Sequence, residues 1–261
     1  MTVGYDPLIL STVVEKRVTR PSLEGQLRRY YRFRQSRFYG GIYTADAVGC
    51  NLRCIFCWSY RYVTNLEAGY FYSPSQVASR LAEGAEKHGV NRVRVSGAEP
   101  TIGREHLISL LEEMEEGHLL FILETNAILL SDESYARELA RKHIHVRVSL
   151  KGTSPEIFHR ITGAKEEGFI LQMKGLENLV DAGASVHVSA VISFSSREEV
   201  MALVERLREI DPSLAESFEP EIVVLYPGVE ERLKKAGITP KIAMTPDGKV
   251  LIGKGWRTIE P

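Results

Sequence analysis

Cys50, Cys54 and Cys57 lie within one loop, spaced C-x3-C-x2-C in Gly49-Cys50-Asn51-Leu52-Arg53-Cys54-Ile55-Phe56-Cys57-Trp58, and the chain has no fourth cysteine. An odd, clustered set points to metal binding or redox chemistry rather than to disulfides. Three thiolates on one loop can hold three irons of a [4Fe-4S] cube and leave the fourth iron open to a non-protein ligand. A structural zinc would need a fourth ligand from elsewhere, such as His88 or His106, and zinc spacings usually come as paired CxxC units. A redox CxxC at Cys54 and Cys57 alone would leave Cys50 without a part.

These thiols must be positioned by an ordered scaffold, and hydrophobic periodicity supplies one. Strands are expected at 42–48, 92–96, 119–125, 145–150, 185–192 and 221–226. Helices are expected after Ser73, Gly103 and Ser131, and in GFILQMKGLENLVDAG and SREEVMALVERLREI. Ser73-Pro74 reads as an N-cap followed by proline at the first helical position, and Gly89, Gly117 and Gly183 as helix ends. Strands alternating with helices imply right-handed crossovers and a parallel sheet.

The strands choose between a doubly wound sheet and a barrel. His145, Arg147, Ser149 and Lys151 alternate with Val146, Val148 and Leu150; His187 and Ser189 alternate with Val186, Val188 and Ala190. Arg94 and Ser96 alternate with Val93 and Val95, and Glu124 and Asn126 with Leu123 and Thr125. A parallel strand covered by helices on both faces reads as nearly continuous apolar residues. Polar groups on one face of four strands instead predict an α/β fold with a curved sheet, a partial (βα)6 TIM-type barrel, whose concave side encloses a polar cavity. An antiparallel sheet with one wet face conflicts with the intervening helices. The expected parts are an N-terminal basic and aromatic extension (1–39), the barrel (40–226) and a C-terminal cap or small hairpin (227–261).

Composition bounds the rest. With 261 residues, 44% apolar, 33 Lys and Arg against 34 Asp and Glu, and 3 cysteines, the chain is neither disordered, collagen-like nor a disulfide scaffold. No window approaches a membrane span, and Asp6-Pro7 stands where a signal peptide would carry basic residues, so a cytoplasmic location is expected. The net charge of −1 hides an asymmetry: residues 16–37 hold eight basic residues and one acid.

The cysteine motif, with Phe56 as the aromatic before the third cysteine, resembles CxxxCxφC of the radical S-adenosylmethionine (SAM) superfamily, which follows the first strand of a partial barrel. Ser96-Gly97-Ala98-Glu99-Pro100 looks like that family's GGEP segment, with Ala98 in place of a glycine. Glu124-Thr125-Asn126 and Ser149-Leu150-Lys151 resemble its strand-end motifs. The resemblance spans about 42–226 and implies one [4Fe-4S] cluster on Cys50, Cys54 and Cys57. It further implies SAM contacts from Phe56, Gly97, Ala98, Glu99, Asn126, Ser149, Lys151 and Ser189. Glu99 and Lys151 would offset the ammonium and carboxylate of methionine. The implied reaction is reductive cleavage of SAM to a 5′-deoxyadenosyl radical that abstracts hydrogen, with ferredoxin or flavodoxin as electron donor.

No cysteines remain for an auxiliary cluster, so sulfur insertion is not expected. The motifs also resemble activating enzymes for glycyl-radical proteins, which implies a glycine of a partner protein as substrate; CNLRCIFCW and SLKGTSPEIFHRITG resemble archaeal wyosine-type tRNA-modifying enzymes. In the stretch 28–39, RRYYRFRQSRFY, arginines and aromatics could bind RNA phosphates and stack bases. An N-terminal helix over the barrel, with Tyr30, Tyr31, Phe33 and Phe38 as core, is the preferred expectation. His145, Arg147 and His187 could contact a small anionic metabolite or form a structural network. A non-catalytic iron-sulfur sensor would leave the GAEP and SLK groups without purpose.

Overall fold

The computed structural model describes residues 4–115 and 117–253. The chain opens with α1 (Pro7–Val18), capped by Asp6, followed by β1 (Thr19–Arg20), β2 (Leu27–Ser36) and β3 (Ile42–Ala47). After the cysteine loop come α2 (Tyr60–Thr64), β4 (Tyr70–Tyr72) and α3 (Pro74–Lys87). Then β5 (Arg92–Ser96), α4 (Arg104–Glu115), β6 (Leu120–Thr125), α5 (Glu133–Ala140) and β7 (Ile144–Leu150) alternate. They are followed by α6 (Pro155–Thr162), α7 (Glu167–Asp181), β8 (Ser185–Val191), α8 (Arg197–Ile210), α9 (Pro212–Glu216) and β9 (Glu219–Glu221). β10 (Val223–Val224), α10 (Pro227–Lys235), β11 (Ile242–Met244) and β12 (Val250–Ile252) complete the described chain.

Strands β3, β5, β6, β7, β8 and β9 pair in that order, all parallel, and the sheet is not closed. This is the expected partial barrel. Its convex face is apolar: Ala45, Val93, Val95, Phe121, Leu123, Val146, Val148 and Val188 pack with Leu81, Leu110, Leu139 and Leu176 of the helices. Ser73 and Ser196 close full capping boxes, each satisfying otherwise unpaired amides at a helix start. Gly89 and Gly183 take the positive φ expected of helix ends, and the residue before Gly117 lies outside the described residues.

Three expectations need correction. Residues 28–36 are not a helix: β2 pairs antiparallel with β3 and carries the sheet past its parallel strands, with the short β1 and β4 pairing to Leu27–Tyr30. Alternation of Arg32 and Arg34 with Phe33 has the two-residue period of a strand, and aromatic residues favour that state. Tyr30 is core, but Phe38 is exposed. The sixth parallel strand is Glu219–Glu221 rather than 221–226. The chain then leaves the barrel, and β10 joins a second sheet, parallel to β11, which pairs with β12 as a hairpin. The C-terminal hairpin was expected, α10 before it was not; residues 254–261 of that segment lie outside the described residues. No helix among the described residues is long and apolar enough to cross a membrane.

Candidate active site

The cysteine loop leaves the carboxyl end of β3. Gly49 begins it at φ +84°, and a Cβ there would stand 2.6 Å from Val14 of α1, so only glycine fits under that helix. The loop is then held from three directions. Tyr5 accepts from the Arg53 amide at 2.8 Å, the Ile161 carbonyl of α6 accepts from the Ile55 amide at 2.9 Å, and Arg232 of α10 donates to the carbonyls of Ile55 and Cys57.

Cys54 is buried, and Cys50 and Cys57 are half-buried. Burial pushes the Cys54 thiol up to about 12, although Lys151 draws it down; burial and Glu99 push Cys50 higher still. Thiolates in such a place need a cationic partner, which iron supplies. Among the described residues no three His, Cys, Asp or Glu side chains converge on a point that would hold a single ion. A cube does not require convergence, because each thiolate binds a separate iron. The loop also holds a buried amide donor without a partner, Nδ2 of Asn51, while the Cys50 sulfur receives the Leu52 amide at 3.3 Å. Three free thiols and a spare donor on one loop fit an anionic sulfur cluster.

Gly97 packs so close to Asp46 that a Cβ would meet the Asp46 Cβ at 2.9 Å, and its carbonyl accepts from Ser59, which also touches Cys57. Ala98 follows, half-buried. Glu99 is only 2% exposed. Its carboxylate accepts from the Thr101 amide and hydroxyl, the Thr125 hydroxyl and the Asn126 amide at 2.6 to 3.1 Å. Glu99 therefore braces the end of β5 against the end of β6, and any ammonium partner would compete with these four bonds. Asn126 donates to Asn51 at 2.7 Å and lies 3.9 Å from the Cys50 sulfur, so it links β6 to the cysteine loop. Phe56 rests against Phe194, ring centroids 5.9 Å apart.

The concave face carries the remaining expected residues. Lys151 donates to Ser149, Ser149 to Glu221 at 3.2 Å, and Ser189 to Glu221 at 3.3 Å. Arg147 bridges Glu219 and Glu221 at 2.9 and 2.7 Å. Against the opposing effect of burial, Lys151 and Arg147 hold the Glu221 carboxyl below its usual range. Deeper in the face, Arg94 pairs with Glu124 at 2.6 Å, Ser96 and Tyr39 donate to the same carboxylate, and His145 and His187 contact each other at 2.6 Å. Every parallel strand thus presents polar groups to one lumen. Sequence reasoning missed Glu221, whose alternation starts only in the short β9. It also missed Asp46, Arg32 and Arg34, because β2 was read as a helix.

The model of the radical SAM superfamily matches residues 46–207. A probable GTP 3′,8-cyclase of Saccharolobus islandicus is 29% identical over 158 residues, covering 60% of this chain and 49% of that protein. One from Thermococcus kodakarensis is 28% identical over 207 residues, covering 74% and 64%. The chain spans about half the length of the first of these relatives. Among solved structures, Streptococcus suis SuiB bound to S-adenosylmethionine superposes with a TM-score of 0.52 at 20% identity, covering 78% of this chain and 57% of that one. A spore photoproduct lyase mutant with dinucleoside spore photoproduct gives 0.54 at 14% identity, covering 80% and 64%. With the cysteine loop at the carboxyl edge of an open six-stranded parallel barrel, the chain belongs to the radical SAM superfamily, whose cofactors are a [4Fe-4S] cluster and S-adenosylmethionine.

Proposed function

We propose that this radical SAM enzyme abstracts hydrogen from a small anionic substrate held in the lumen below the cysteine loop. Cys50, Cys54 and Cys57 would hold the cluster, with Phe56, Gly97, Ala98, Glu99, Asn126, Ser149, Lys151 and Ser189 around SAM. When bound and reduced, the cluster supplies the electron that releases a 5′-deoxyadenosyl radical from SAM. The protein's own part is to position, to exclude water and to balance charge. Glu99 and Asn126 fix the loop after β5 and the end of β6 against the cysteine loop. Phe56 and Phe194 close one side with apolar rings. Lys151, between Cys54 and Glu221, offers an ammonium to whichever carboxylate docks there.

The observation that carries the reading is the wall of the lumen, where Arg94, Arg147, His145 and His187 stand among carboxylates on the strands. A hydrogen-donating glycine in a partner protein has no use for such a wall, whereas a small polar substrate does, and its anionic groups would be met by Lys151 and by Arg32 and Arg34, which share only Asp46. Relatives named for cyclisation of GTP support the same class. Ferredoxin or flavodoxin remains the proposed electron donor.

The test is anaerobic. Reconstituted protein given dithionite and SAM should release 5′-deoxyadenosine and methionine, and persistence of intact SAM would sink the proposal. Deuterium-labelled cell extract should then transfer label into 5′-deoxyadenosine from its small-molecule fraction. Transfer confined to the protein fraction would favour the glycyl-radical reading instead.

A further inference from the structure

β2 brings two arginines to the concave face. In the register of β2 with β3, Arg32 stands opposite Asp46 and Arg34 opposite Thr44, and Thr44 accepts from Arg94 inside the lumen. Side chains opposite each other share a face, so Arg32 and Arg34 continue the lumen wall past its last parallel strand. The strand is pinned there by Tyr31, stacked on Tyr62 of α2 with centroids 3.6 Å apart.

Asp46 fixes both guanidinium groups. It is fully buried, and one oxygen, Oδ2, receives Nε of Arg32 at 2.8 Å, Nη2 of Arg32 at 2.7 Å and Nε of Arg34 at 2.7 Å. One carboxylate neutralises one of two guanidinium charges, so the cluster retains a net positive charge. The Arg32 side chain is 44% exposed. Both guanidinium groups lie beside the indole of Trp58, at 5.9 and 5.8 Å from its centroid. Trp58 follows the last cysteine ligand directly and is 51% exposed, which forgoes burial that folding favours.

We propose that Arg32, Arg34 and Trp58 form the docking site for the substrate, and that the substrate carries phosphate groups and a flat ring. The inference rests on the small-anion reading above and deepens it. Guanidinium forks match phosphate oxygens, and an exposed indole offers a stacking face. Preorganisation by the buried Asp46 lowers the entropy lost when the arginines engage a ligand. A small molecule fits better than RNA, because two of the other three arginines of 28–39 are already engaged. Arg28 is buried and donates to the carbonyls of Ile102, Val48 and Glu99, and Arg29 is spent on Glu67 and Gly69. Arg37 is then the one further exposed arginine of the stretch, fewer charges than a track along a nucleic-acid backbone needs.

The experiment is calorimetric titration of the reconstituted full-chain holoprotein, without reductant, using GTP, guanosine and inorganic triphosphate. GTP should bind more tightly than either fragment. Arg32→Gln and Arg34→Gln should each weaken GTP and triphosphate by at least about tenfold, the scale of a lost charged hydrogen bond. Trp58→Ala should weaken GTP and guanosine while sparing triphosphate. Since either glutamine variant strips a partner from buried Asp46, Trp58→Ala at its half-exposed position tests the site without that risk, and iron content verifies each variant. No GTP binding, or binding indifferent to all three residues, overturns the proposal; so does tRNA that displaces GTP and weakens in the same variants. Failure of SAM cleavage under reducing conditions would strike the proposed function while leaving this titration readable. Normal cleavage with a failed titration strikes only the docking site.

Discussion

Nη2 of Arg232 donates to the carbonyl oxygen of Cys57 at 2.6 Å, and Nε of the same side chain donates to the carbonyl of Ile55 at 2.9 Å. The guanidinium also lies over the Tyr60 ring at 4.4 Å. Helix α10, beyond the segment matched by the family model, therefore holds the backbone of Cys57, a proposed cluster ligand. Replacing Arg232→Met removes two charged hydrogen bonds, each worth roughly 1.5 to 3 kcal/mol. Iron per chain should fall and chelator should bleach the visible absorbance faster, with Arg232→Lys intermediate. Equal iron content and equal bleaching would show that the clamp is not needed.

Cys54 is the most buried of the three thiols by exposed surface. Cys54→Ala should abolish assembly of a full four-iron cluster and with it SAM cleavage. Mössbauer and iron analysis check this directly, and retention of four irons would count against the ligand assignment.

Arg94 is almost fully buried against Glu124. Breaking such a pair from one side leaves an uncompensated charge and costs about 3 kcal/mol or more, whereas replacing both partners by apolar residues costs much less. Arg94→Leu should therefore lower the urea midpoint more than the Arg94→Leu, Glu124→Leu double substitution does. The opposite order would show that solvent, not Glu124, carries the charge.

His106 supplies a pH dependence. The carbonyl of Gln26 can only accept, so Nδ1 of His106 carries the proton toward it at 2.7 Å and Nε2 accepts from the Tyr30 hydroxyl at 3.0 Å. Burial pushes the His106 pKa down to about 4, against 6.5 for the free side chain. The unfolded chain binds the extra proton first, so this contribution is complete above pH 6.5 and is lost as pH falls toward 4. The loss amounts to about 3 kcal/mol. Unfolding free energies measured across that window should show the slope, and His106→Gln should flatten it.

Much of the site was legible because its chemistry follows short-range rules. The cysteine spacing needs one loop, and the polar residues of β5, β6, β7 and β8 follow the two-residue period of strands. What escaped depends on partners distant in sequence. Arg28 to Arg34 read as a basic arm, since nothing local shows that Asp46, Glu67 and three backbone carbonyls will hold these side chains. Helices α1 and α6 were missed although Asp6-Pro7 and Ser154-Pro155 carry the same cap signal as Ser73-Pro74. Glu221 belongs to a strand of three residues, too short to display a period.

The two edges of the open barrel are finished by segments of very different reach. β2 lies next to β3 in sequence as well as in space, so that edge closes through a short loop at small entropic cost. β9 reaches β8 only after two helices have been laid down, and it contributes three residues to the ladder. The arginine-bearing edge should therefore form early and open last, and the Glu221 edge form late and open first. Amide exchange should rank β2 above β9 in protection, so the two walls of one lumen would differ in lifetime while sharing the same chemistry.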